Sequence, residues 1–368
     1  MSLKNFVRFS IFTIVFVLTI VLLSEIYTNK GQGFKLKQFY NEPVNSFDVL
    51  MFGPCYIDNM LLPPVLWNEA GITSYNLAIG ASPAAAQYYW LKEALKYQSP
   101  SLVALSGRYL FGEDINFDRR EARYRQALDQ MRWSRNKIES IMEVLSHSER
   151  QRFLDYVFPL LRFHTRERLY AIDFDFFMPG QRHVYFSGHP NFYARIRPQA
   201  RPEAFDDNSH DPPFHITGKY LTKMIELCKG RNIDVVLIAP PYYNDDDSWS
   251  INMHNALQNY ADEHGVSLID FNYGEPRHEA ALDDSIDFRH VHILNISGGT
   301  KASRYFARYI SEKFNLPDRR TKPYDPHWDK QVDYYNEYYN VRFARELSRI
   351  QQGEEPEDEE FDELDGFD

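Results

Sequence analysis

Cys55 is the side chain in this sequence best placed to act as a nucleophile. It lies in the stretch FDVLMFGPCY over residues 47–56, where a strongly apolar, β-prone run breaks at Gly53-Pro54. Such a run reads as a buried strand of a parallel sheet, stopped at its carboxyl end. In open α/β sheets that edge is where ligands sit. A thiol there can attack an acyl carbonyl with less help from a base than a serine needs. A small buried thiol filling a corner fits the same residue, since free cysteine is among the most buried residue types. Far downstream stand His290 and His292, with Asp287 close by. On an extended segment the two alternating histidines share a face. His-x-His with a carboxylate is also a zinc-binding pattern, but histidines near a strand end are more often ordinary polar loop residues. Neither a metal nor a cofactor is expected. Cys228 sits in a Leu-Cys-Lys helix end and reads as core, and no CxxC spacing exists.

The elements that must carry these residues alternate. After the first strand, residues 63–70 make a short helix closed by Gly71, and residues 73–78 a second short strand ending at Ile79-Gly80. Ser82 and Pro83 read as N-cap and first position of a helix over 84–97. Residues 101–105 are the third strand. Helix 218–229, the plain core strand 233–239, helix 248–264, strand 266–271 and helix 299–314 resume the order, with a loop through 283–296. This β-α-β pattern with short links predicts an α/β fold, a three-layer α/β/α domain on a doubly wound, mostly parallel sheet. Between the two halves, about 108–205, lies a helical insertion. Residues 119–145 read as one long amphipathic helix, 153–163 as another and 185–201 as loop. The basic run Arg119, Arg120, Arg123, Arg125, Arg132 and Arg135 could meet acidic polymer or lipid head groups, or simply pair with its own glutamates. Residues 318–339 carry many Tyr, Trp and Pro and few helix signals, suggesting an arm packed over the domain.

Composition narrows the setting. Hydrophobic residues at 43% and aromatics at 15% are ample for a core. Of the net charge of −11, the tail 353–368 holds ten acidic residues and no basic one, which leaves about −1 for the rest. The acidity is a tail property, and no nucleic-acid partner is expected. Residues 9–23 are apolar but for Ser10, Thr13 and Thr19 and follow Lys4 and Arg8. With its flanks this segment reaches the length of a membrane helix. No small-residue cleavage pattern follows it, so it reads as an uncleaved signal anchor. The cationic end stays in the cytoplasm and the rest lies outside. The expected organisation is an anchor over 1–30, an α/β domain over 31–340 and a C-terminal segment 341–368 with an acidic, disordered tail.

The order of parts resembles the SGNH/GDSL hydrolases. A strand runs into Gly-x-nucleophile, a second strand ends at Asn-Leu-x-x-Gly, and Asp-Phe…Asn-x-Ser-Gly precedes a final helix. The closer likeness is to a membrane-anchored bacterial branch that includes the lipoteichoic-acid D-alanylation protein and the alginate O-acetylation proteins. It covers about 47–105 and 217–316 and is most specific in YNLAIGASPAAAQYYWLKEALKYQSP and DFRHVHILNISGGTKAS.

The resemblance implies roles residue by residue. Cys55 stands where the family has its serine nucleophile, with Gly53 in the same motif. Gly80, following Tyr75-Asn76-Leu77, matches the second motif, whose backbone N–H helps hold the oxyanion together with the N–H of Cys55. Asn76 and Asn295 belong to the matched motifs and are candidate substrate-binding positions. The third motif's asparagine is absent from Leu105-Ser106-Gly107. For the final Asp-x-x-His, anchoring on both flanks puts His290 at the aspartate and Ile293 at the histidine; read literally, Asp287 and His290 themselves make the motif. The changes thus gather at the chemistry, and two readings stand. One is acyl transfer or ester hydrolysis by Cys55 with His290 or His292 as base. The other is a catalytically inactive SGNH-like binding or scaffold module. In either, the resemblance implies work on an envelope polysaccharide or teichoic polymer beside a membrane-bound O-acyltransferase.

Overall fold

The structure is a computed structural model that describes residues 2–27, 34–111, 117, 120–165, 218–241, 247–290, 293–321 and 324–352. His292, Arg119, the segment 185–201 and the acidic tail lie outside the described residues.

The chain opens with α1 (Leu3–Tyr27), whose apolar side chains stand exposed along its length. It is long and apolar enough to cross a membrane. Next come α2 (Phe34–Phe39), β1 (Val49–Phe52), α3 (Cys55–Met60), α4 (Pro63–Ala70), β2 (Ser74–Asn76), α5 (Ala84–Ala94) and β3 (Leu102–Ser106). The insertion holds α6 (Glu121–Leu128), α7 (Arg135–Ser146), α8 (Phe153–Val157) and α9 (Pro159–Phe163). The alternation then returns with α10 (Lys219–Lys229), β4 (Asp234–Ala239), α11 (Asp247–Glu263), β5 (Ser267–Asp270) and α12 (Glu275–Glu279). A small hairpin, β6 (Phe288–His290) and β7 (Ile293–Leu294), precedes α13 (Ile296–Lys313). The arm that follows carries α14 (His327–Tyr338), a π-turn over Tyr339–Phe343 and α15 (Ala344–Gln351).

Strands β1 to β5 pair in the order β2-β1-β3-β4-β5, all parallel. The chain leaves β1 towards β2 on one side and returns to β3 on the other. That reversal opens a crevice at the carboxyl end of β1, where open sheets bind ligands. Both faces of the sheet are covered, so the strands read as apolar runs rather than alternations. Leu50, Phe52, Val103, Leu105 and Leu237 pack with residues of α5 and α10. Val49, Met51, Ala104, Val236 and Ile269 pack with α3, α4 and α13.

Several expectations change in the structure. The helix over 119–145 is two, because the chain turns between α6 and α7. Ser134 caps α7 by accepting the Lys137 N–H, and Lys137 Nζ donates to the carbonyls of Asp129 and Met131 left open behind α6. Residues 153–163 also split, since Pro159 cannot continue α8 and instead starts α9. Pro83, not Ser82, occupies the cap of α5; the Ser82 hydroxyl accepts from Gln87. Residues 55–60 are helical, and the loop over 283–296 contains the β6–β7 hairpin. The arm over 318–339 packs as expected but contains α14, whose Trp328 stacks on Trp67 with ring centroids 5.4 Å apart. The basic run is partly internal. Arg125 is buried between Tyr156 and Phe163 and pairs with Glu121 and Asp129, while Arg135 pairs with Glu139.

Candidate active site

The junction of β1 and α3 is built around a close approach. A Cβ on Gly53 would sit 2.3 Å from Ile57 and 3.2 Å from Ser106, so only glycine lets β1 turn there into the helix. Pro54 is extended, and Cys55 becomes the first residue of α3. The helix is braced from both sides. Asn76 Nδ2 donates to the carbonyls of Ile57 (3.2 Å) and Leu61 (2.9 Å), and its Oδ1 accepts the Ala78 N–H at 2.9 Å. On the other side Ser303 Oγ donates to the Met60 carbonyl and accepts the Leu62 N–H, both at 2.8 Å. The fully buried Asn76 thus spends its amide on holding α3 in place.

The second-motif turn is tied to the first by the Ile79 N–H, which donates to the Gly53 carbonyl at 3.0 Å. Gly80 is buried in that turn, and Ala81 follows with φ 51, a left-handed conformation uncommon for a residue with a side chain. The N–H of Ala81 is close enough to the Cys55 sulfur to favour its thiolate. Sequence reasoning missed Ala81 because a positive φ at alanine leaves no mark in the residue type.

Cys55 itself is half-buried. Desolvation pushes its thiol above the ordinary range and the Asp58 carboxylate adds to this, while the Ala81 N–H and the Arg289 guanidinium oppose it. One turn along α3, Asp58 forms a buried ion pair with Lys35 of α2. Burial pulls the Lys35 ammonium down, against the raising effect of Asp58 and Cys55. Tyr109, donating to the Ser82 carbonyl at 3.0 Å, is raised by burial and also feels Cys55. Arg108 lies over the Tyr56 ring at 5.0 Å. The surroundings of the thiol therefore combine aromatic rings with both an acidic group, Asp58, and a cationic one, Arg289. Ser106 fills the third-motif position, fully buried, with an Oγ that has no hydrogen-bond partner among the described residues.

The last motif comes from the β6–β7 hairpin, and β7 packs against α3. His290 is exposed on β6. Asp287 is fully buried; its Oδ2 pairs with Lys301 Nζ at 2.7 Å and accepts the Asp283 N–H at 2.7 Å. Its Oδ1 has no hydrogen-bond partner among the described residues. Asn295 caps α13 by accepting the N–H groups of Ser297 and Gly298, and its Nδ2 donates to the Ile286 carbonyl at 2.5 Å. The structure therefore brings Cys55, Gly53 and Gly80 together, and gives Asn76, Asn295 and Asp287 buried partners of their own. The hydrogen bond between His254 Nδ1 and Asp270 Oδ2, 3.0 Å, is a separate dyad at the end of β5. Three strand spacings, roughly 14 Å, separate it from β1. Among the described residues no group of three or more His, Cys, Asp and Glu is arranged to hold a metal ion.

No protein-family model and no curated protein sequence matches the chain. Among solved structures it is similar to a GDSL-like lipase from Bacteroides thetaiotaomicron, with 9% identity and a TM-score of 0.36 over 77% of this chain and 98% of that one. It is also similar to a catalytic mutant of an acetylxylan esterase from Geobacillus stearothermophilus, with 12% identity and a TM-score of 0.31 over 76% of this chain and 99% of that one. The strand order and the helices over both faces of the sheet give this chain a doubly wound, three-layer α/β/α fold. Among the described residues one helix, α1, is long and apolar enough to span a membrane.

Proposed function

We propose that this protein is a membrane-anchored, extracytoplasmic component of envelope-polymer O-acylation. Its SGNH-like domain holds a polysaccharide or teichoic chain beside a membrane-bound O-acyltransferase without turning it over. The observation that carries this reading is the state of Asp287. The carboxylate nearest the expected base is buried against Lys301 and the Asp283 N–H rather than presented at the sulfur. The thiol, pushed up by burial, is protonated at neutral pH and is a poor nucleophile in that form. Arg108, over the Tyr56 ring, and Arg289, which acts on the Cys55 sulfur, put guanidinium groups beside the site. The test is polymer O-acylation in cells carrying Cys55→Ala. Full acylation is expected, and a loss at unchanged protein level overturns the reading. Orientation has its own check: an enzyme active only outside the cytoplasm, fused after Asp368, is expected to be active.

A second reading, acyl transfer through Cys55, is favoured by the Ala81 N–H at the sulfur and the open Oδ1 of Asp287. In it the sulfur attacks the acyl carbonyl, His290 or His292 takes the thiol proton, and the N–H groups of Ala81 and Cys55 hold the oxyanion. The leaving alkoxide recovers the proton, leaving a thioester that a polymer hydroxyl or water resolves. Mass-spectrometric capture of an acyl group on Cys55 from an activated ester, without alkaline activation, would establish it.

A further inference from the structure

Outside α1, exposed large apolar side chains gather in the helical insertion: Trp133, Ile138, Met142, Phe153, Leu154 and Leu161. Three of them, Phe153, Leu154 and Leu161, belong to the short helices α8 and α9, with Leu154 57% exposed and Leu161 49%. These two helices stand next to the anchor. The last part of α1 packs on α9, where the Leu160 N–H donates to the buried Ser24 Oγ at 3.4 Å. Ser24 is the residue at which the apolar span of α1 ends. With α1 as the anchor, the hairpin of α8 and α9 stands level with the point where the chain would leave the hydrocarbon.

The inner side of the same hairpin is fixed. Tyr156 is buried against the Arg125 guanidinium at 4.1 Å, and Arg162 pairs with Glu121 at 2.6 Å. What faces outward is Phe153, Leu154 and Leu161, with Arg150, Arg152 and Glu149 exposed beside them. Apolar side chains flanked by long cations are the composition of elements that lie in a lipid interface, where the apolar groups enter the acyl boundary and the cations reach the phosphates.

We infer that the α8–α9 hairpin is a second membrane contact, docking Phe153, Leu154 and Leu161 into the leaflet from which α1 emerges. The occupant of this surface is the lipid itself. The contact restrains the domain about the axis of α1 and so sets its height and tilt over the bilayer. This rests on α1 being the anchor, and the experiment separates the two.

The full chain, in a Cys55→Ala background, is reconstituted into phosphatidylcholine–phosphatidylglycerol nanodiscs. Single nitroxide labels are placed at Leu154→Cys, Leu161→Cys, Phe12→Cys and Val341→Cys. Val341 lies on the C-terminal arm and is 52% exposed. The readout is collision with oxygen, which concentrates in lipid, against a water-soluble nickel chelate. Oxygen collisions severalfold in excess at 154, 161 and 12, with the chelate dominant at 341, are the expected result. Chelate dominance at 154 and 161 with lipid-like collisions at 12 overturns the inference and leaves the anchor standing. Chelate dominance at all four positions removes both. Labels at 154 and 161 shielded from both reagents mean a protein partner covers the hairpin, which also overturns it.

Discussion

At the scale of single residues, the sulfur of Cys55 is governed by three neighbours and by burial. Alkylation by iodoacetamide at neutral pH is expected to be slower than for a free thiol, whose pKa is about 8.5. It should accelerate as pH rises beyond that value. Arg289→Gln removes a cation that favours the thiolate and should slow the reaction further, read as the labelling rate at Cys55 by mass spectrometry. Cys228 makes a cleaner case. It is fully buried, and burial pushes its thiol up to about 12. A raised acid contributes stability that is complete below the unfolded pKa and is lost as pH climbs towards the folded one. Urea unfolding is therefore expected to show stability falling from about pH 8.5 towards about 12, with a shallower fall in Cys228→Ala.

At the scale of elements, the interest lies in how α3 is held. Lys35 on α2 and Asp58 on α3 neutralise one another out of water, and the Tyr75 hydroxyl donates to the Lys35 carbonyl at 2.6 Å. Removing one member of a buried pair leaves a charge with no counterpart. Lys35→Met or Asp58→Asn is expected to cost about 3 kcal/mol in urea unfolding, and Lys35→Met with Asp58→Leu much less than the sum. Nothing in the spacing of positions 35 and 58 announces this pair, because its members meet only once the sheet has formed. The strands were legible, since β1, β3 and β4 are unbroken apolar runs stopped by Gly or Pro, and so was α4, delimited by Pro63 and by Gly71 at φ 66. Turns made by capping were not. Ser134 divides α6 from α7 within one continuous amphipathic pattern, and the Asn295 cap starts α13 at Ile296, three residues ahead of the expected start at 299. Of the candidate site, Cys55 and its position were readable from Gly53-Pro54. The Ala81 N–H and the engagement of Asp287 by Lys301 depend on backbone geometry and long-range contact, which residue types do not encode.

At the scale of the whole molecule, the two edges of the sheet are treated differently. Around the amino end of β1 the C-terminal arm closes the structure. Trp328 stacks on Trp67 and meets Phe47, and Arg319 binds Asp48 through two nitrogens at 2.7 and 3.1 Å. Trp328→Ala is expected to destabilise by about 3 kcal/mol, read from the urea midpoint, while leaving Cys55 labelling in the native protein unchanged. The carboxyl edge is instead left to the loops that carry the site. Beneath those loops, a Cβ at Gly299 would come within 2.4 Å of the Asn59 carbonyl, so α13 touches α3 backbone to backbone. The helix that begins at Cys55 and the helix behind the last motif therefore form one rigid frame. Side chains at the crevice can be exchanged while that frame stays still, so gaining or losing a reaction here is a matter of a few substitutions and requires no rebuilding of the scaffold.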